Sequence, residues 1–229
     1  MPADSVMTRR WVEVLVVMAL GLLIGCKSIR AVRIVPPDVP LDFEGRVRLL
    51  RQLAAEAESA DTVTKRKRAA ERGLGIARQL REEQPQRVEG HYWYAIHAGL
   101  LAQADNSYGL TAVAEMDSAL QRAIELDAAH DHCGPLRVRG LLLVRAPGPP
   151  VSMGSPRRGL RLLEQAAERC PEYGENLLYV AEALHATGKT VEALAVLQRL
   201  EALPAGPESA GERQRWLATA EAYRREWQK

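Results

Sequence analysis

From about residue 42 onward, apolar positions recur at three- and four-residue spacing. Leu49, Leu50, Leu53, Ala54 and Ala57 make one stripe, Leu74, Ala77 and Leu80 a second, and Leu160, Leu163, Ala166 and Ala167 a third. That spacing is the period of a helix with one buried face. Breakers separate the stripes: Pro85, Asn106, the run from Pro147 to Pro150, Pro171, Gly188, Pro204 and Pro207. The pattern predicts nine helices, roughly 42–59, 64–83, 87–103, 110–127, 134–144, 156–169, 174–187, 189–202 and 209–227, with almost no strand signal. The predicted fold class is all-α.

Before the helices the pattern changes. Val14 to Ile24 is an uncharged apolar run of eleven residues, short of the roughly 20 that a spanning helix needs. Arg9 and Arg10 precede it, and a small residue and a cysteine close it. Basic segment, short apolar segment and small residue make the layout of a secretory signal. Leu23-Ile24-Gly25-Cys26 resembles the bacterial lipobox, which implies cleavage before Cys26 and lipidation of that residue. An ordinary signal peptide or a short anchor is the alternative. Residues 27–40, KSIRAVRIVPPDVP, hold three prolines and no helical period, and read as an extended tether. The expected organisation is a lipoprotein signal peptide at 1–25, a lipid-anchored tether at 26–40 and a helical repeat domain at 41–229. Lys27 stands where an aspartate commonly retains lipoproteins in the inner membrane, so the expected site is the periplasmic face of the envelope, at the outer membrane.

Three segments align: ARQLREEQP, LQRAIELDA and LEQAAERCP begin at 77, 120 and 163, an offset of 43 residues each time. Carried forward, the offset sets Tyr92-Trp93-Tyr94 on Pro135-Leu136-Arg137 and on Leu178-Tyr179-Val180. The first and third sets are apolar; the middle one matches only at Leu136. A unit of helix, turn, helix and proline resembles the tetratricopeptide repeat. The best match is residues 174–204, with Ala181 at the small position where paired helices touch, Gly188 at the turn, and Ala193 and Leu197 in the second helix. Close antiparallel packing requires such small side chains. The repeat family's period is 34 residues. The surplus in the longer units fits two long loops within pairs, 101–111 and 145–156. The expected architecture is therefore a tetratricopeptide-like solenoid of helical hairpins behind a lipoprotein signal peptide.

Residues 124–185, with weaker similarity from 42 to 205, add a second resemblance, to the T-component proteins associated with bacterial tripartite periplasmic (TRAP) transporters. It rests on Gly134, Pro135, Arg137 and Gly140 at a helix start, then a loop with Pro147, Gly148, Pro150, Ser152 and Gly154, then Pro171 and Asn176. Cys133 departs from the pattern, as does the segment after Pro204. The resemblance implies a lipoprotein with modified helical repeats that partners a periplasmic solute-binding protein.

Composition narrows the function. The formal net charge is +2, which favours no polyanionic partner, and an exported chain has little occasion to meet nucleic acid. The one basic cluster, Lys65 to Arg68, reads as a solvated helix face, with lipid headgroups as the alternative contact. Gly188-Lys189-Thr190 lacks both the earlier glycine and the preceding strand of a phosphate loop, and reads as a turn with Thr190 near a helix N-cap. His130-Asp131-His132-Cys133 offers metal-ligand types, but four consecutive residues reach one tetrahedral ion poorly; a polar turn between repeats is expected, with no metal. Ser152 lacks the context of a nucleophile, no cofactor motif stands out, and no enzyme is expected. Cys133 starts a helix that Cys170's helix pairs with, so a disulfide is geometrically open to them; two buried inert thiols are the alternative.

What remains is binding. The first helix of each pair lines the concave side of a repeat array, and the register sets Tyr92, Ile96, Arg139, Leu178, Glu182 and His185 there. Arg139 beside Glu182 reads as a salt bridge or as part of a pocket. Tyr92, Trp93 and Tyr94 read first as packing. Trp216, Tyr223 and Trp227 share one face of the last helix, as a cap on the final repeat or a dock. The function expected is a lipid-anchored scaffold, accessory to a periplasmic solute transport system. The alternatives are an envelope-assembly scaffold binding a peptide or protein, or a lipoprotein holding a small ligand in its groove. The partners expected are the solute-binding protein or another envelope protein, and the membrane through its lipid.

Overall fold

The computed structural model describes residues 42–204, 206 and 210–228. The expected signal peptide, Cys26 and the tether lie outside the described residues. The described residues are helical and carry no strand: α1 Phe43–Ser59, α2 Val63–Glu83, α3 Val88–Ala104, α4 Gly109–Asp127, α5 His130–Arg145, α6 Pro156–Arg169, α7 Gly174–Ala186, α8 Thr190–Ala202 and α9 Ala210–Trp227. They form two compact units that part between Asp127 and Ala128. Among the described residues, no helix is long and apolar enough to cross a membrane.

In the first unit each helix packs on the next, and α1 also reaches α3. Asp42 caps α1, its carboxylate accepting the Gly45 N–H at 2.7 Å. Thr62 caps α2 through the Lys65 N–H at 3.3 Å. Both satisfy a donor that the first helical turn leaves open. α3 is buried almost all round, with Tyr92, Trp93, Tyr94, Ala95, Ala98, Leu100 and Leu101 in the core. A helix enclosed on several sides is apolar on several sides, which is why its sequence shows no clean stripe.

The 43-residue offset is visible in the packing. Ala77, Leu120 and Leu163 occupy one position of the aligned segments, and Leu80, Ala123 and Ala166 another; all six are fully buried. The backbone repeats as well. Gln84 and Cys170 end α2 and α6 at φ −135°, ψ 67° and φ −127°, ψ 67°, with N–H groups donating to Leu80 O and Ala166 O. Arg87 N–H then returns to Gln84 O, and Tyr173 N–H to Cys170 O.

One expectation is corrected. Residues 101–111 are not a long loop. α3 runs on to Ala104, a single 3-10 turn spans Asn106–Tyr108, and α4 starts at Gly109. The Asp105 carboxylate makes the turn tight by accepting the Ser107 N–H at 3.0 Å and its hydroxyl at 2.6 Å. The surplus of this repeat lies in its helices: α3 and α4 have 17 and 19 residues, whereas α7 and α8 have 13 each.

In the second unit α5 pairs with α6, α7 with α8, and α9 packs on α7 and α8. The segment between α5 and α6 is a long loop. Ser155 N–H donates to Leu143 O at 2.7 Å and Gly154 N–H to Pro147 O at 2.9 Å, closing its two ends together. Gly154 is needed there: a Cβ on it would lie 1.9 Å from Ala146 O. Gly188 turns α7 into α8 at φ 82°, a left-handed conformation that only glycine adopts at little cost. Thr190 follows as the first residue of α8, with Lys189 at the N-cap position.

Candidate binding site

The chemistry of the second unit begins at a turn. Asp131, His132 and Cys133 all have positive φ, at 49°, 55° and 64°, so regular right-handed helix in α5 begins only at Gly134. Left-handed backbone costs a non-glycine residue roughly 1–2 kcal/mol, and three in a row need support. The structure supplies it from three directions. Cys133 is joined to Cys170 at the end of α6 by a disulfide. Arg137, one turn into α5, donates to His132 O at 2.9 Å and to Asn176 Oδ1 at 3.2 Å. The Asn176 amide in turn reaches Cys170 O at 3.0 Å and His132 O at 3.3 Å.

Arg137 and Asn176 are both buried. A buried guanidinium needs a counter-charge, and Glu175 provides it at 3.0 Å from Arg137 Nε. The guanidinium also lies over the Tyr173 ring at 4.8 Å, and His132 stacks on the same ring at 4.5 Å. Burial, then the Glu175 charge, raises the Tyr173 phenol well above its ordinary pKa. The tyrosine therefore stays neutral. The sequence showed Arg137 as the charged misfit of its repeat position, where Tyr94 and Val180 are apolar. All three are buried, so a charge at a core position of a repeat was the available signal.

A second polar cluster sits at the ends of α5, α7 and α9. Arg145 holds Glu182 through two parallel bonds, Nε to Oε1 at 2.6 Å and Nη2 to Oε2 at 2.7 Å. Tyr223 OH donates to the same carboxylate at 2.8 Å. Burial opposes the charge on Arg145, but Glu182 outweighs it and the guanidinium pKa is raised. Tyr223 is pushed up by burial and then by Glu182. Trp227 stacks on Tyr223 at 4.6 Å and on His185 at 4.4 Å, and His185 Nδ1 lies 3.1 Å from Thr190 Oγ1.

The residues expected in the groove divide accordingly. Tyr92 and Leu178 are each 3% exposed and belong to the cores of their units, which corrects the expectation of groove surface for them. Tyr92 lies edge-on to Trp93. Ile96, Glu182 and His185 are half-buried. Glu182 is engaged by Arg145, while Arg139 lines a pocket with Leu143, Arg158, Arg161, Leu162 and Gln165. Arg145 was not legible as the partner: it lies 37 residues from Glu182, at the end of α5. Trp216 and Tyr223 are buried, and Trp216 meets Tyr173 at 4.8 Å, so this face of α9 covers the α7–α8 hairpin.

No family model matches the chain, and no curated protein matches it. Among solved structures, the crystal structure of a thermophilic TPR protein from Thermus thermophilus matches with a TM-score of 0.53 and 18% identity, over 78% of this chain and 98% of that one. Likeness at that identity concerns the fold. The described residues make an all-helical fold built of tetratricopeptide-like helical hairpins.

Proposed function

We propose that this chain is a protein-binding scaffold, lipid-anchored through Cys26 and facing the periplasm, where it serves as an accessory component of a solute uptake system. Its work is binding rather than chemistry. The observation that carries the binding reading is the aromatic and ionic cluster of the second unit. Glu182, His185 and Trp227 are half-buried and held in place by Arg145 and Tyr223. Tryptophan, tyrosine and arginine on rigid supports are the residue types that dominate protein interfaces. The tetratricopeptide-like hairpins supply such a support. The transporter reading is supported by the resemblance of residues 124–185 to the T-component proteins, and the anchor by the lipobox-like Leu23 to Cys26.

Mild crosslinking in native cells, followed by purification of the full chain and mass spectrometry, tests the partner. A periplasmic solute-binding protein recovered in near-equal amount, and lost with Trp227→Ala, is the expected result. Recovery of envelope-assembly proteins in its place would sink the transporter reading and favour an assembly scaffold. The anchor is tested by Cys26→Ser, which should release the protein from the membrane fraction; a variant that stays there would overturn the lipid attachment.

A further inference from the structure

The crossing of α5 and α6 is unusually close. A Cβ on Gly159 would stand 2.5 Å from Gly140 O and 2.6 Å from Val144 Cγ2, and one on Gly140 would meet Leu163 Cγ at 2.7 Å. Backbone touches backbone here. Each glycine follows an arginine, Arg139 on α5 and Arg158 on α6. One turn further along each helix comes a leucine, Leu143 and Leu162. The close crossing thus brings two Arg–Leu pairs, spaced as neighbours on their helix faces, to one side of the hairpin. Arg161 and Gln165 of α6 complete a pocket of about 170 Å³.

We infer that this pocket binds a small phosphoryl or sulfate dianion. Its lining holds three guanidinium groups, one amide and two leucines, with no carboxylate. Arg158 and Arg161 form no ion pair among the described residues; Arg161 Nη1 donates only to Arg157 O, at 3.3 Å, and keeps its charge unopposed. The first turn of α6 has no acidic residue, and its N-cap Ser155 makes no side-chain capping bond. The positive end of the helix dipole therefore adds to the arginines instead of being offset. A single carboxylate is matched by one arginine fork. Arg158 and Arg161, two guanidinium groups with no ion-pair partner among the described residues, together suit a tetrahedral oxyanion of charge −2, which accepts several parallel N–H bonds, with Arg139 at the edge of the same space. The volume is below the roughly 300–1,000 Å³ of drug-sized sites. It takes one anionic group with an apolar atom or two resting on the half-buried Leu162. This inference is independent of the scaffold reading and survives its failure.

The test is calorimetric titration of the purified full-length protein with inorganic phosphate in low-salt buffer. Arg158→Gln and Arg161→Gln remove two of the lining charges, and Arg157→Gln, on the same helix but outside the lining, is the control. Saturable binding is expected, weakened about tenfold by each pocket variant, displaced by sulfate and unaffected by acetate or by Arg157→Gln. Each variant should keep the parent melting temperature. A second arm sediments the protein with phosphatidylcholine vesicles with and without phosphatidic acid. Arg158- and Arg161-dependent sedimentation without binding of free phosphate would assign the dianion to a lipid headgroup, and the reverse would assign it to a free phosphate. Absence of both, or equal weakening by Arg157→Gln, would overturn the pocket.

Discussion

Acid should destabilise the first unit, and the main reason is one histidine. His97 of α3 is fully buried, its Nε2 donating to Leu50 O of α1 at 3.1 Å, while Nδ1 has no partner. The ring lies on Gly73 of α2, where an added Cβ would come within 2.2 Å of it. Burial pulls the His97 pKa down from 6.5 to about 4, and the bond to Leu50 O offsets this only in part. A depressed pKa on a base means that the unfolded chain takes the proton first. Stability is complete above about pH 6.5, drains as the pH falls toward 4, and levels off below that. The whole shift is worth about 3 kcal/mol at 1.36 kcal/mol per pKa unit, of which about 2 kcal/mol is lost between pH 7 and pH 5. His91, also lowered by burial, adds to the slope in the same direction. Urea unfolding across this range, followed by Trp93, whose ring centroid is 6.3 Å from that of His97, measures the loss. NMR of the His97 ring measures the pKa itself. His97→Gln keeps a neutral donor for Leu50 O and should flatten most of the slope. A ring that titrates near 6.5, or an unchanged slope in the variant, would refute the reasoning.

Three further outcomes follow from the second unit. Gly159→Ala should cost roughly 1–3 kcal/mol by forcing α5 and α6 apart, and Gly188→Ala about 1 kcal/mol from backbone alone, since an added Cβ there meets nothing; thermal melts of both variants check the contrast. Glu182→Gln should cost roughly 3 kcal/mol because it leaves the largely buried Arg145 guanidinium without the carboxylate that pairs with it. Paired with Tyr223→Phe in a double-mutant cycle it should be non-additive, and strict additivity would count against the cluster acting as a unit. Replacing both Cys133 and Cys170 by alanine removes a cross-link over a sequence separation of 37 residues, worth about 4 kcal/mol on the chain-entropy model. Denaturant unfolding should show that loss, and a shift under about 1 kcal/mol would mean that the Arg137–Asn176 network alone holds the left-handed turn.

Local pattern decided the helices. The stripes at Leu50 and Leu53, at Leu74 and Ala77, and at Leu160 and Leu163 report a period that each helix enforces on itself, so the predicted boundaries lie within a few residues of those observed. The 43-residue offset was legible for the same reason: equivalent helices bury equivalent positions, and small or apolar residues recur there. Pairing across the chain was another matter. That Glu182 meets Arg145, that Tyr92 and Leu178 turn inward, and that the segment around Asp105 closes into a turn depend on which helix faces which, at what crossing distance. Sequence spacing gives the direction of a side chain about its own helix axis. Only packing sets the neighbour it meets. The arginine pocket shows the difference most plainly: the sequence set Arg139 in a groove beside Glu182 and singled out nothing at Arg158, and the two meet at one site because two glycines let two backbones touch.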